Sequence, residues 1–180
     1  MVPTLSATLG VKGHRPTVGT RDCKDVLYVF CVLNLISGAL HANTLESLQA
    51  ANRKSEESKT RRMQRAFAAH LRHVGQVYPE GQFQRVVLTI DNAPWHRGKL
   101  IDEAMADNPH LEFYRLPSYS PNLNVIERFW KKLRRRATHN RLFDTIADLK
   151  GSVRVSLCYF QTIREKVLTL INGRSKKSPK

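Results

Sequence analysis

Cysteine and acid are both scarce in this sequence, and no apolar run is long enough to cross a membrane. The three cysteines, Cys23, Cys31 and Cys158, are odd in number, scattered and without a CxxC pair. That excludes a disulfide framework and a zinc ribbon, and suits a reducing cytosol. The longest apolar stretch, "VLYVFCVLNLISGAL" (26–40), is interrupted by Asn34 and falls short of the roughly 20 residues a spanning helix needs. It also follows Asp22 and Asp25 instead of a basic segment, so the small-residue run "SGALHA" behind it is not read as a signal-peptide cleavage site. A membrane is excluded as partner.

What the chain has instead is positive charge. Its 180 residues carry 30 Lys plus Arg against 15 Asp plus Glu, a formal +15. Solubility needs far less, so the excess points to a polyanionic partner, nucleic acid first. A merely basic, ribosomal-type surface is the plainer alternative. The length suits one domain with a real core. No internal repeat is visible, and only "GRSKKSPK" (173–180) reads as a disordered basic tail, leaving residues 1–172 as the domain.

Along the chain, "VKGHRPTVGTRDCKD" (11–25) is loop-like. "VLYVFCVLNL" (26–35) predicts a buried strand and "GALHANTL" (38–45) its hairpin partner. From Ser58 to Val77 the apolar residues Met63, Phe67, Leu71 and Val74 recur at helical spacing. The other face carries Lys59, Arg61, Arg62, Arg65 and Arg72, either a solvated face or one turned to DNA. "RVVLTI" (85–90) predicts a strand covered on both faces. A helix over 97–107, a strand at 111–116, the turn-rich "PSYSPNLN" (117–124), a helix over 125–140 and a last helix from Asp144 to Ile171 complete the order. That order predicts a three-layer α/β domain with a mixed sheet and a helical C-terminal segment.

In "LTIDNAPWH" (88–96), Asp91 ends an apolar run and opens a turn. At the carboxyl end of a central strand it stands where open α/β sheets place ligands; "DNAP" is equally good turn chemistry. Phosphodiester hydrolysis and transfer use two divalent metals, roughly 3.5–4 Å apart, held by carboxylates on rigid elements. Glu127 is the natural second carboxylate. It also completes a capping-box pattern, "NVIE" (124–127), with Asn124 as N-cap. His96 is a candidate phosphate or metal-shell contact, or a packed loop histidine. In "KKLRRR" (131–136), Lys131, Lys132, Arg134, Arg135 and Arg136 are candidates to clamp DNA phosphates beside Glu127, or form a solvated face.

At these residues the sequence resembles a known family. "DNAPWHRGK" (91–99), followed by "RLPSYSPNLNVIERFWKKLRRRATHN" (115–140), resembles the catalytic domain of the IS630 group of DDE transposases, relatives of the Tc1/mariner elements. The likeness runs from about residue 8 to 171. It implies an RNase H-like fold and a Mg²⁺- or Mn²⁺-dependent endonuclease and strand transferase with a two-metal site. Asp91 would be the second catalytic acid and metal ligand, and Glu127 the third. Asn124 and His96 join the KKLRRR cations as expected DNA contacts. The implied partners are double-stranded DNA at transposon ends and targets, with a second copy or an intact transposase beside it, in the bacterial cytosol at the nucleoid.

The family's first catalytic aspartate belongs on a strand upstream of "TLGVKGHRPTVGT" (8–20), yet no acidic residue precedes Asp22. The expectation is therefore a catalytic core without its first strand or first aspartate, inactive alone. The competing expectation is a basic remnant that occupies DNA, or pairs with an intact transposase, without cutting. An RNA-binding basic protein is the third reading, and no aromatic stacking motif supports it.

Overall fold

The computed structural model describes residues 17–19, 24–54, 56–117 and 124–172. The expected basic tail (173–180), most of the loop over 11–25 and residues 118–123 of the turn-rich segment lie outside the described residues.

The first strand, β1 (Val26–Leu33), pairs antiparallel with β2 (Leu40–Ser47), as β-branched and apolar alternation predicts. Asn34 builds the turn between them: its Oδ1 accepts the Ile36 and Ser37 N–H groups, each at 2.9 Å. Gly38 closes it at φ +68°, where a Cβ would meet the Arg164 carbonyl. A short helix not foreseen in the sequence, α1 (Gln49–Lys54), follows. The Asp25 carboxylate accepts the Gln49 N–H at 2.7 Å. Next comes α2 (Lys59–Val77), opened by Ser58, whose Oγ accepts the Arg61 N–H. All four apolar residues that predicted this helix are buried.

The second ladder joins β3 (Val86–Ile90) in parallel to β4 (Leu111–Arg115), with α3 (Lys99–Ala106) as the crossover. Parallel and antiparallel pairing are thus both present, divided among the described residues into two two-stranded sheets. Three helices end the chain: α4 (Ile126–Ala137), α5 (Ile146–Thr162) and α6 (Arg164–Asn172). The single last helix expected from Asp144 breaks at Ile163, which is not helical (φ −110°, ψ 54°). A capping box between Thr145 and Asp148 opens α5.

Helices lie on both sides of the hairpin. Tyr28, Phe30 and Val32 of β1 pack with α2 in one apolar cluster; Leu27, Val29, Cys31 and Leu33 pack with α4, α5 and α6 in another. This alternation puts β1 between two helical layers. Phe67 of α2 ties the ladders together. Its ring meets Phe30 of β1 at 6.1 Å and Phe113 of β4 at 6.4 Å between centroids. The expectation that β3 is covered on both faces is corrected. Val86, Leu88 and Ile90 pack in the first cluster, but Val87 is 53% exposed and Thr89 is exposed. The cluster built by α4, α5 and α6 takes in β1 and β2 residues and none from β3. Cys31 and Cys158 are free thiols, and no described helix is long and apolar enough to cross a membrane.

Candidate functional site

Asp91 stands one residue beyond the end of β3, and its role as a turn residue is realised. Its Oδ1 accepts the Ala93 N–H at 3.0 Å. The same oxygen lies 3.0 Å from His96 Nδ1, which is also 3.3 Å from the Asp91 carbonyl oxygen. Both partners of Nδ1 are acceptors, so a neutral ring carries its proton there and keeps a lone pair on Nε2. Burial holds His96 below the ordinary histidine pKa, against the upward pull of the Asp91 carbonyl and carboxylate. Its ring packs 4.3 Å from that of Phe67. Asp91 Oδ2 makes no hydrogen bond to a described residue, and its side chain is 56% exposed. The turn therefore uses one oxygen and leaves the other to solvent or a ligand.

Residues with no role assigned from the sequence hold this loop. Asn92 Nδ2 donates to the Leu116 carbonyl at 2.8 Å, binding the ends of β3 and β4 together. Arg115 Nη2 donates to the His96 carbonyl at 2.9 Å and Gln64 Nε2 to the Arg97 carbonyl at 2.7 Å. Asn92 and Arg115 fall inside the two motif stretches, whereas Gln64 on α2 carried no local signal.

Glu127 sits in the first turn of α4, half-buried. The capping box expected for it is corrected: Val125 occupies the N-cap and no side chain caps the helix. The Glu127 N–H instead donates to the Asn124 carbonyl at 3.1 Å, which takes the cap position past Asn124. With capping removed, the Glu127 carboxylate makes no hydrogen bond to a described residue. No hydrogen bond or ion pair joins it to Asp91. Asp91 follows a strand of the first cluster, while Glu127 lies beside Ile126 and Phe129 of the second.

The basic run divides. Leu133 turns inward with Phe129 and Ala137, while Lys131, Lys132, Arg134 and Arg135 are exposed. Arg136 turns back toward α5, its guanidinium 3.7 Å from the Tyr159 ring centroid. On α2 the charges are partly spent within the fold. Arg65 pairs with Glu57 at 2.6 Å, Arg72 with Asp107 at 2.8 Å, and Lys59 lies over the Tyr28 ring. On α4, Lys131, Lys132, Arg134 and Arg135 take part in no ion pair among the described residues and follow the candidate acid Glu127 on the same helix.

Carboxylate oxygens are the donors a Mg²⁺ or Mn²⁺ ion prefers, and Asp91 Oδ2 and the Glu127 carboxylate fit in kind. Among the described residues, however, no group of three His, Cys, Asp or Glu gathers that would hold a metal.

A mixed α/β fold with an acid one residue past a parallel strand, and a separate basic helix, is shared with a known class of proteins. The chain belongs to the DDE superfamily endonucleases, whose family model matches residues 12–150. It is 25% identical over 153 residues to the 39 kDa protein of insertion element IS630 from Shigella sonnei, covering 84% of this chain and 40% of that protein. It is 33% identical over 84 residues to the protein y4pE/y4sA of Sinorhizobium fredii (strain NBRC 101917 / NGR234), 47% of this chain and 58% of the relative. The fold is similar to that of the Mos1 transposase, solved as a paired-end complex with the left transposon end. The TM-score is 0.53 at 15% identity, over 93% of this chain and 51% of the other. The chain thus spans about 40–58% of the curated relatives it matches.

Proposed function

We propose that this polypeptide carries the carboxylate and DNA-gripping parts of an insertion-sequence transposase, acting on double-stranded DNA at transposon ends and targets. The observation that carries the reading is Asp91. Within the family-matched region, it stands at the carboxyl end of a parallel strand with Oδ1 engaged by the loop and Oδ2 free. Asp91 and Glu127 are the proposed ligands of divalent metal, Mg²⁺ or Mn²⁺, in a two-metal site. When bound, such ions activate the attacking oxygen and stabilise the leaving one. Hydrolysis joins the oxygen of water to phosphorus and breaks the bond to the leaving oxygen, which takes a proton; strand transfer replaces water with a DNA hydroxyl. Lys131, Lys132, Arg134 and Arg135 bind phosphates and hold the duplex. His96 holds the Asp91 carboxylate in orientation, its Nε2 free to meet DNA, and Asn124 meets DNA at the start of α4. The partners are DNA and a second copy or intact transposase, in the cytosol.

A second reading, a chain that occupies DNA or joins an intact transposase without cutting, is favoured by the absence of a third acid beside the two among the described residues. Both readings predict salt-sensitive DNA binding. Only the first predicts that Mn²⁺ tightens duplex binding and that Asp91→Asn removes this gain. Duplex binding indifferent to Mn²⁺, or a gain that survives Asp91→Asn, would sink the metal-site reading.

A further inference from the structure

Between the end of α4 and α5 lies an open recess of about 400 Å³, lined by Arg136, Arg141, Phe143, Ser152, Val155 and Ser156. Among the described residues no carboxylate lines it and neither arginine takes part in an ion pair. Their described neighbours hold both in place without neutralising them. The Arg136 guanidinium stacks on Tyr159 at 3.7 Å, well inside the roughly 6 Å reach of a cation–π contact. Arg141 Nη1 donates to Ser152 Oγ at 3.4 Å, and that hydroxyl donates to the Ala137 carbonyl at 2.7 Å. Two like charges on one recess repel each other, and an anion between them turns that cost into charge-assisted hydrogen bonds. A planar guanidinium also suits the paired oxygens of a phosphate. Beside them, Phe143 and the 66% exposed Val155 offer an apolar wall that inorganic phosphate leaves bare and a sugar covers.

We propose that this recess binds one phosphodiester of a nucleic acid strand, the phosphate on Arg136 and Arg141 and the adjoining sugar on Phe143 and Val155. It is a site apart from the phosphate contacts proposed for Lys131, Lys132, Arg134 and Arg135, because the Arg136 guanidinium lies on Tyr159 of α5. The inference rests on the DNA-binding reading for the source of the phosphate, while the chemistry of the recess stands independently of it.

The test follows the arginine Nε–Hε resonances of the full chain by NMR during titration with inorganic phosphate and with a thymidine dinucleotide bearing one phosphodiester. The signals of Arg136 and Arg141 should move together and saturate, with the dinucleotide half-saturating at the lower concentration. Arg136→Gln/Arg141→Gln should weaken dinucleotide binding at least about tenfold, as loss of charge-assisted hydrogen bonds requires. Arg154→Gln, a charge control elsewhere on α5, should not. Should the double variant fail to fold, Arg141→Gln alone, which leaves Arg136 on Tyr159, gives the same comparison. Shifts that do not saturate, or binding unchanged in the variants, overturn the site. Tighter binding of inorganic phosphate than of the dinucleotide overturns the strand as its ligand. Saturation by the dinucleotide in a chain that binds no duplex would instead refute the proposed function and leave the recess standing.

Discussion

Toward the described residues, the Asp91 side chain makes its contacts through Oδ1, and asparagine keeps an oxygen that accepts them. Asp91→Asn should therefore change stability by no more than about 0.5 kcal/mol while abolishing Mn²⁺ binding. Glu127→Gln should behave likewise, because no capping bond to Asn124 depends on that carboxylate. Thermal melts beside Mn²⁺ titrations of both variants check this; a large melting loss with unchanged metal affinity would return both acids to structural duty. His70 is a different case. It is buried on α2, with neither ring nitrogen hydrogen-bonded, and burial, then His73 and His41, lower its pKa from 6.5 to about 4. The unfolded chain therefore binds the extra proton between about pH 6.5 and 4, so stability falls as pH drops through that window and the loss stops below it. The full penalty is about 3 kcal/mol. His70→Leu should flatten this part of the stability–pH curve, measured by urea denaturation; an equally steep curve would show that His70 is not the source.

At the scale of elements, α2 matters through Phe67, whose ring touches β1, β4 and the His96 loop. Phe67→Ala should cost about 3–5 kcal/mol and loosen the Asp91 turn with it. Hydrogen exchange should show the β3 amides losing protection along with those of β1. If β3 keeps its protection while the protein is destabilised, the ladders are coupled by something else. On α4, Arg134 and Arg135 are exposed and without ion-pair partners among the described residues. Changing both to Ala should weaken duplex binding alike for any sequence, and reduce the slope of log affinity against log salt by up to about 1.8, near 0.9 per lost phosphate contact. An unchanged slope measured by fluorescence anisotropy would leave α4 a solvated face.

For the whole molecule, the expected outcome is that the 180-residue polypeptide alone does not nick a transposon-end duplex in Mn²⁺. Among the described residues no third acid gathers with Asp91 or Glu127; a two-metal site short of a shared ligand leaves an ion poorly placed, and displacement by about 1 Å already removes about a hundredfold in rate. Robust Asp91-dependent nicking by the chain as it stands would overturn this, and would turn attention to Asp25, now engaged with Gln49.

Much of the element order was legible because it is written in local periodicity. Met63, Phe67, Leu71 and Val74 name the inner face of α2, and the turn chemistry of "DNAP" names the bend at Asp91. The motif around Asp91 and Glu127 likewise determined the family. Other features depend on what each segment meets in space. "NVIE" reads as a capping box, yet the helix starts at Ile126 with Val125 as its cap. "RVVLTI" reads as doubly buried, yet no described helix covers Val87. "KKLRRR" reads as one basic run, yet Leu133 is buried and the Arg136 guanidinium lies on the Tyr159 ring of α5. By itself, then, the sequence determined most of the element order and the family, and it named Asp91 and Glu127 as candidate acids, since these follow from neighbours along the chain. The tertiary structure alone decided which face of β3 stays uncovered and which arginines share a recess, because both depend on how whole elements pack against one another.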